Sequence, residues 1–298
     1  MTRKTVVLLV GLISISTILT GQVKKTIIPV LHPGEQYIFR STIISDIHED
    51  GVKAINQSYS YSWFLRVIGK NAAGKNLIRA TYLKINHKTE HLFTRESSGF
   101  NSDDFKEFVV KSLNDEQHKQ NDRLRKLGEG MMGKSFTLYF DENMQINEVT
   151  GLDTLINIAL AGMEEENTPA QQEFEKSTRG LINNEEVQKI FENAFAYVTE
   201  DAVGVGDKWS SNETHNVGPV RVEYVVKSED GSNLDITASS TTVTNNDIQV
   251  AYSRKGTITV DSKTGMLVNA TIKDDMKPRG GAISRLVIKT MKSELQKK

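Results

Sequence analysis

The sequence predicts an α+β protein built on a large twisted antiparallel sheet, either open or curved into a half-open barrel, with a helical insertion at its centre. Apolar and polar residues alternate in two regions, 34–150 and 206–298, as they do in half-buried strands. Apolar stripes of helical period occupy the block 151–200 between these regions. Strand and helix patterns do not alternate along the chain, which disfavours a parallel sheet. We therefore expect a single β-rich domain over residues 22–298.

Composition narrows the classes of function. Hydrophobic residues make up 38% and charged residues 25% of the 298 residues, a balance typical of folded proteins. A formal net charge of −1 gives no general attraction to nucleic acid, so we expect no nucleic-acid partner. The chain has no cysteine, which excludes disulfides, thiolate nucleophiles and iron–sulfur clusters. We expect no cofactor.

Residues 1–21 are typical of a secretory signal peptide: two basic residues, an apolar run from Val6 to Leu19, and small residues. The run is shorter than the ~20 residues of a spanning helix, and an uncleaved anchor is the alternative. In LTGQ (19–22), Gln22 stands where a bacterial lipobox has its acylated cysteine. We therefore expect cleavage after Gly21 and a soluble, unlipidated protein in the periplasm or outside the cell. No other apolar run is long enough to cross a membrane.

The first strand region contains a clear alternation. In YSYSWFLRV (59–67), one face carries Tyr59, Tyr61, Trp63, Leu65 and Val67. This aromatic stripe is either core or the lining of a pocket, and its burial energy favours core. The segment 76–85 is its predicted hairpin partner, 102–113 predicts a helix, 114–126 a polar helix or loop, and 135–149 a second hairpin.

The helical block predicts three helices. The first has an apolar face made of Leu152, Leu155, Ile156, Ala159, Leu160 and Met163. The second begins with the cap Thr168, followed by Pro169 and Gln171, and Gly180 is predicted to stop it. The third has a stripe made of Val187, Ile190, Phe191, Ala194, Phe195 and Val198.

The second strand region, 206–298, alternates again, and its tail 283–295 fits a strand or a helix equally well. Two short sequence similarities link the two strand regions. GEQY (34–37) opens the first and GDKW (206–209) opens the second, and each region closes with a strand, an aspartate, a turn and a strand. Either a β unit is duplicated, or hairpins with the same turn chemistry resemble each other by chance.

The segment GEGMMGKS (128–135) matches the phosphate loop of nucleotide hydrolases letter for letter. Such a loop follows a strand and opens a helix, whose N-terminus binds the phosphates. Here a charged helical stretch precedes the motif and the strand pattern SFTLYF follows it. We therefore predict no nucleotide site, and interpret Gly128, Gly130 and Gly133 as a loop that leads into the hairpin.

The segment HKTEH (87–91) matches H-x-x-E-H, the signature of inverted zinc peptidases. The candidate residues of such a site are His87, Glu90 and His91, with Glu164, Glu165 or Glu166 as a further ligand. The signature needs a helix, whereas NLIRATYLKIN before it predicts a strand and 86–88 a turn. The favoured interpretation is two solvent-exposed histidines around a hairpin, with no metal and no catalytic residue.

The chain resembles a family of exported bacterial proteins that is classed as a domain of unknown function. The resemblance is carried by the export signal, GEQY (34–37), the hairpin and helix start FTLYFDENMQINEVTGLDTL (136–155), GDKW (206–209) and GTITVDSKTGMLVNATI (256–272). It covers residues 22–298 and implies no catalytic residues. Members often carry a lipobox cysteine, which Gln22 replaces here. More distantly, a curved sheet with helices lodged in it is similar to the half-barrels that carry lipoproteins and lipids across the envelope, which implies a fold only.

These observations predict a non-enzymatic, exported protein that binds a hydrophobic or lipid-like small molecule in the concavity of the sheet, because a curved sheet with helices forms an apolar cleft. One alternative is a zinc-dependent hydrolase that uses the H-x-x-E-H motif. The other is a structural or interaction module of the cell envelope.

Overall fold

The computed structural model describes residues 24–102, 115–161, 168–215, 218–241, 243–245, 250–278 and 283–296. Its helices are α1 (Asp115–Met131), α2 (Leu152–Ala161), α3 (Pro169–Leu181) and α4 (Asn184–Phe195). Its strands are β1 (Lys25–Ile27), β2 (Gln36–Glu49), β3 (Val52–Lys70), β4 (Asn76–His91), β5 (Glu96–Asn101), β6 (Ser135–Phe140), β7 (Ile146–Thr150), β8 (Thr199–Val203), β9 (Lys208–His215), β10 (Gly218–Glu229), β11 (Asn233–Ser240), β12 (Val243–Asn245), β13 (Val250–Asp261), β14 (Leu267–Pro278) and β15 (Ile283–Leu295).

Some predictions lie outside the described residues and stay predictions. These are the signal peptide (1–21), the lipobox position Gln22, residues 103–113 of the helix predicted over 102–113, Met163 of the first predicted helical face, and the acidic run Glu164–Glu166. In the part of the chain that the structure describes, no helix is both long and apolar enough to cross a membrane.

Thirteen of the described strands form one antiparallel sheet, and β1 and β8 pair separately. The order across the sheet is β7-β6-β4-β3-β2-β15-β14-β13-β11-β10-β9, with β5 beside β4 and β12 beside β13. The sheet ends at two edges, β7 and β9, so it is not closed into a barrel. The predicted α+β class, with a large open antiparallel sheet and a central helical insertion, is confirmed.

The two strand regions follow the same path. In each region, five strands pair with one another in chain order, and an additional segment is inserted after the third strand. The first unit consists of β2, β3, β4, β6 and β7, and the second unit of β9, β10, β11, β13 and β14. The opening turns also match. Gly34 donates its N–H to the carbonyl of Val67 and Gly206 donates to Val226, both at 2.8 Å, and both glycines have positive φ, 87° and 89°. The shared path and turn favour duplication over chance similarity of hairpins.

The tail of the chain joins the two units. It forms β15, which settles the choice between strand and helix. β15 pairs with β14 on one side and with β2 on the other, from Ile283 opposite Glu49 to Leu295 opposite Tyr37. Hydrogen bonds therefore run continuously from one unit to the other through the last strand.

Helix α4 lies on the inner face of the sheet, and the sheet curves around it. Phe191 of α4 contacts Phe39 of β2 and Trp63 of β3, with ring centroids 4.9 and 5.4 Å away. Two residues later, the Asn193 side chain accepts a hydrogen bond from Arg254 of β13. In a flat sheet β3 and β13 would be about 19 Å apart, since four spacings of about 4.8 Å separate them. Residues 209–213 of β9 and residues 143–145 before β7, at opposite edges of the sheet, also line one cleft beside this helix, so the sheet is concave.

Most of the aromatic stripe of β3 belongs to the core, as predicted, whereas Tyr59 at its start is half-buried and stacks on His87. Trp63, Leu65 and Val67 are at most 3% exposed, while Tyr61 packs partly buried against the same core. Burying each of the large side chains contributes about 1.5–3 kcal/mol. The stripe therefore stabilises the fold, and does not line an open pocket.

The helical block agrees with its prediction apart from one helix end. α2 buries Leu152, Leu155, Ile156, Ala159 and Leu160. The hydroxyl of Thr168 caps α3 by accepting the N–H of Gln171 at 3.3 Å. The prediction that Gly180 stops this helix is wrong, because α3 continues through Leu181.

The phosphate-loop match has the predicted flanks, with a helix before it and strand β6 directly after Lys134. No helix N-terminus follows the lysine, so the anion site of a phosphate loop cannot form. The predicted role of the glycines is partly wrong. Gly128 and Gly130 lie in the last turns of α1, and only Gly133 lies in the turn, with a φ of 71°. Glycine is required at position 130 because α2 passes so close that a Cβ there would lie 2.9 Å from the Cβ of Ala159.

Candidate ligand-binding site

A cleft of about 1100 Å³ opens beside α4 on the inner face of the sheet. Both edges of the sheet contribute to it: residues 209–213 of β9 on one side, and residues 143–145, the turn before β7, on the other. The cleft therefore occupies the gap that closure of the barrel would fill. Part of the lining is apolar and consists of Ile43, Ile190, Phe195, Val198, Trp209, Met276, Val287 and Met291.

The floor of the cleft holds a buried network of charged residues centred on Arg254, whose side chain is fully buried. Its Nε donates to Oδ1 of Asp274 at 2.7 Å, and its Nη2 donates to Oδ2 of the same carboxylate at 3.0 Å. Its Nη1 forms an ion pair with Glu213. Lys289 lies 3.0 Å from Asp274, so two cations face two carboxylates and the network is neutral. A bidentate pair of this kind is the geometry that makes a buried guanidinium tolerable.

The network fixes its own protonation states. Burial alone would raise the pKa of Asp274, but the hydrogen bonds from Arg254 and the charge of Lys289 hold it well below its usual range. Burial lowers the pKa of Lys289, and the charge of Asp274 opposes this shift. The Tyr252 hydroxyl also donates to Asp274, at 2.7 Å. The network thus ties α4, through Asn193, to strands of the second unit.

Arg285 differs from the other cations of the cleft. Its Nε donates to the hydroxyl of Ser45 at 2.7 Å, and Ser45 is completely buried. Within the described part of the chain, no carboxylate lies within ion-pair distance of Arg285. Of the acidic groups of the lining, Asp274 and Glu213 are paired within the network, and the others lie on β8 (Glu200 and Asp201) and on α4 (Glu186 and Glu192).

The H-x-x-E-H residues lie on β4, not on a helix and not at a turn. Successive residues of a strand rise about 3.3 Å, so His87 and His91 are about 13 Å apart and cannot share a zinc ion that binds nitrogen at about 2.1 Å. Glu90 points to the opposite face of the strand and pairs with Lys88. Among the described residues, no three His, Asp or Glu side chains are grouped so that they could hold a metal ion.

The predicted turn and the exposure of both histidines also need correction. Strand β4 continues through 86–91, and the turn falls at 92–95. His91 is exposed, but His87 is half-buried and stacks on Tyr59, with ring centroids 4.6 Å apart and planes 11° apart. Burial lowers the pKa of His87 to about 4. His87 is a neutral packing residue at neutral pH.

Sequence reasoning missed the residues of the cleft. Arg254, Asp274, Arg285 and Lys289 sit at inward positions of strands whose neighbours on the same face are apolar. The signal that could have identified them is a charged residue at an inward position of a strand, because buried charges are rare unless they are paired.

Several solved structures match this chain, all with low TM-scores and low sequence identity. Lipovitellin, from a structure describing lipid–protein interactions, matches with a TM-score of 0.47 and 10% identity over 90% of this chain and 26% of that chain. DynF from the dynemicin biosynthesis pathway of Micromonospora chersina matches with a TM-score of 0.20 and 6% identity over 93% and 88% of the two chains. An outer membrane channel from Pseudomonas putida F1 has a TM-score of 0.19 and 8% identity over 89% and 97%. No functional conclusion follows from similarities this low.

This chain spans about a quarter of the length of the lipovitellin chain. No curated protein matches the sequence. The model of a family described as a family of unknown function, DUF6263, matches residues 97–267, which is more than half of the chain and includes the helical block and most of the second unit. The predicted resemblance to a family of unknown function is thereby confirmed over these residues, and the chain belongs to the family of unknown function DUF6263.

Proposed function

We propose that this protein is a non-enzymatic binding protein that holds an amphipathic, lipid-like ligand in the cleft beside α4. The observation that carries the proposal is the cleft itself, whose volume of about 1100 Å³ is slightly larger than that of most small-molecule sites. Because residues 1–21 are typical of a secretory signal peptide, we propose that the protein acts after export.

The lining favours an amphipathic ligand over a purely apolar one. Met276, Met291, Val287 and Ile43 offer apolar surface, and methionine adapts its shape to flexible chains. Lys289 and Asp274 are polar groups of the same lining, which a hydrocarbon would desolvate without replacing their contacts with water. A ligand with an apolar chain and a polar group satisfies both surfaces.

The pairing of the charged residues in the floor of the cleft supports a binding role over a catalytic one. The charged groups of the network are each committed to an opposite charge, with Arg254 and Lys289 both on Asp274. Groups held in this way stabilise the shape of the site, whereas an acid or base of a reaction needs a proton to exchange near neutral pH.

The test is displacement of the neutral fluorophore N-phenyl-1-naphthylamine, together with native mass spectrometry for a co-purified amphiphile. Ser211 lies on the inner face of β9, and Ser211→Trp places an indole in the cleft. We expect this variant to weaken binding at least tenfold. Ser239→Trp, on the exposed outer face of β11, is the matched control and leaves binding unchanged.

Two results would contradict the proposal: no binding by the native protein, or equal binding by both tryptophan variants. The first would favour an interaction module of the cell envelope.

A further inference from the structure

We infer that the cleft selects an anionic amphiphile and that Arg285 binds its carboxylate or phosphate head group. This inference rests on the proposed function, since it names the class of ligand for the same cleft.

The ion pairs of the cleft lead to this assignment. Lys189 pairs with Glu186 at 2.9 Å, Lys208 with Glu223 at 3.3 Å, and Lys289 with Asp274 at 3.0 Å. Of the cations that line the cleft in the described part of the chain, Arg285 is the one without a carboxylate partner. An anionic ligand group would supply the missing charge.

The guanidinium is also positioned for such a group. Ser45 engages Nε at 2.7 Å, and because Ser45 is completely buried its hydroxyl gives Arg285 a fixed anchor. Both Nη atoms remain available as a planar fork, which matches two oxygens of a carboxylate or phosphate. A lysine at this position would offer the charge without the fork.

Apolar surface begins directly beside the charge. Val287 is the next inward residue of β15 after Arg285, and it lies opposite Ser45 of β2. Ile43 and Met291 add apolar surface on the same face of the two strands, both beside Lys289, whose ammonium group is paired with Asp274. A head group on Arg285 therefore places an attached chain on Val287 and Ile43.

The acidic residues of the lining do not compete for this position. Asp274 lies on the neighbouring strand β14, opposite Val287, but its carboxylate is already paired with Arg254 and Lys289. Glu213 on β9 is paired with Arg254. Glu200 and Asp201 lie on β8 and Glu192 on α4, whereas Arg285 is flanked by Met276 of β14 and Ile47 of β2. These carboxylates would repel an anionic group from their side of the cleft, which leaves Arg285 as its favoured contact.

The experiment compares three amphiphiles with the same dodecyl chain, each below its micelle concentration, as competitors for N-phenyl-1-naphthylamine. Dodecyl phosphate is anionic, dodecyl maltoside is neutral and dodecyltrimethylammonium is cationic. We expect dodecyl phosphate to compete at about tenfold lower concentration than the maltoside, the usual effect of one charge-assisted hydrogen-bonded pair, and the cation to compete least.

Variants of Arg285 test whether this residue causes the preference for an anionic head group. Arg285→Gln should remove the preference for the phosphate and leave competition by the maltoside unchanged, while Arg285→Lys should retain part of it. Arg66→Gln, on the exposed outer face of β3, is the matched control and keeps the full preference. Because Arg285 is exposed at the cleft, its replacement should preserve the fold, which far-UV circular dichroism verifies.

The outcomes separate the two claims. If the fluorophore or all three competitors fail to bind native protein, the proposed function fails. If all three compete equally, if the cation is preferred, or if Arg285→Gln keeps the preference for phosphate, the proposed function stands and the role of Arg285 is wrong.

Discussion

His87 shows how the surroundings of one side chain determine its chemistry. In the sequence it opens a metal-binding signature, but on β4 it faces Tyr59 of the neighbouring strand and stacks on its ring. Such aromatic pairs stabilise a sheet by about 0.5–1.5 kcal/mol beyond the area they bury. The ring is held neutral because its half-buried position disfavours the charged form, which lowers the pKa of His87 to about 4.

This lowered pKa makes stability depend on pH. An unfolded histidine has a pKa of about 6.5, so between pH 6.5 and 4 the unfolded chain binds a proton that the folded one does not. The stabilisation is complete above pH 6.5 and is lost as the pH falls through this window. We expect the free energy of unfolding to be about 2 kcal/mol lower at pH 4.5 than at pH 7 from this group alone.

The measurement is urea unfolding of His87→Phe at both pH values. Phenylalanine keeps the stacking on Tyr59 and removes the titration, so most of that 2 kcal/mol difference should vanish. His91→Phe, an exposed histidine on the same strand, should leave the pH dependence as it is. An unchanged pH dependence in His87→Phe would show that the imidazole is protonated in the folded protein.

At the scale of single elements, α1 and α2 meet at a contact that only glycine allows. A Cβ at Gly130 would lie 2.9 Å from the Cβ and 3.0 Å from the Cα of Ala159. The helix former that local propensity prefers is therefore excluded by packing. At Gly180, inside α3, a Cβ would meet no atom within 4 Å, so that position carries no such constraint.

The two glycines predict opposite responses to alanine. Gly130→Ala should destabilise the protein by about 1–3 kcal/mol, because the added methyl separates the helices. Gly180→Ala should stabilise it by up to about 1 kcal/mol through helix propensity. Urea unfolding measures both, and a stabilised Gly130→Ala protein would contradict the close contact.

Sequence patterns predicted most elements because alternation and helical stripes are properties of neighbouring residues. The inner faces of β3 and of α2 follow directly from them. The wrong turn at Asn86–Lys88 and the wrong loop at Gly128–Gly130 have one cause. Both segments have only a weak local preference for the strand or helix that they adopt. Pairing of 86–88 with β3 and packing of Gly130 on α2 override that preference.

The residues of the cleft could not be predicted from sequence patterns, for a different reason. Arg254 of β13, Asp274 of β14 and Glu213 of β9 are far apart in sequence, and their pairing depends on how the strands are ordered. A charged inward residue can be recognised in a strand pattern, but its partner cannot. The sequence therefore predicted a cleft in the concavity of the sheet, but not the residues that line it.

At the scale of the whole molecule, two connections hold the repeated units together. β15 pairs with β2 of the first unit and β14 of the second along most of its length. Helix α4 packs Phe191 on the first unit and hydrogen-bonds Arg254 of the second through Asn193. Separating the units would break a strand ladder and expose the aromatic core, so neither unit should be stable while the other is unfolded.

The two tryptophans of the chain make this cooperativity measurable, because Trp63 lies in the first unit and Trp209 in the second. Trp209→Phe leaves a reporter of the first unit, and Trp63→Phe leaves a reporter of the second. In each variant we expect the urea midpoint of tryptophan fluorescence to coincide with that of far-UV circular dichroism, since both should follow one transition. Comparison within one variant cancels the cost of removing a buried indole. A fluorescence midpoint that departs from the dichroism midpoint would show that the units unfold separately, and that residues 22–298 are two domains joined by a shared strand.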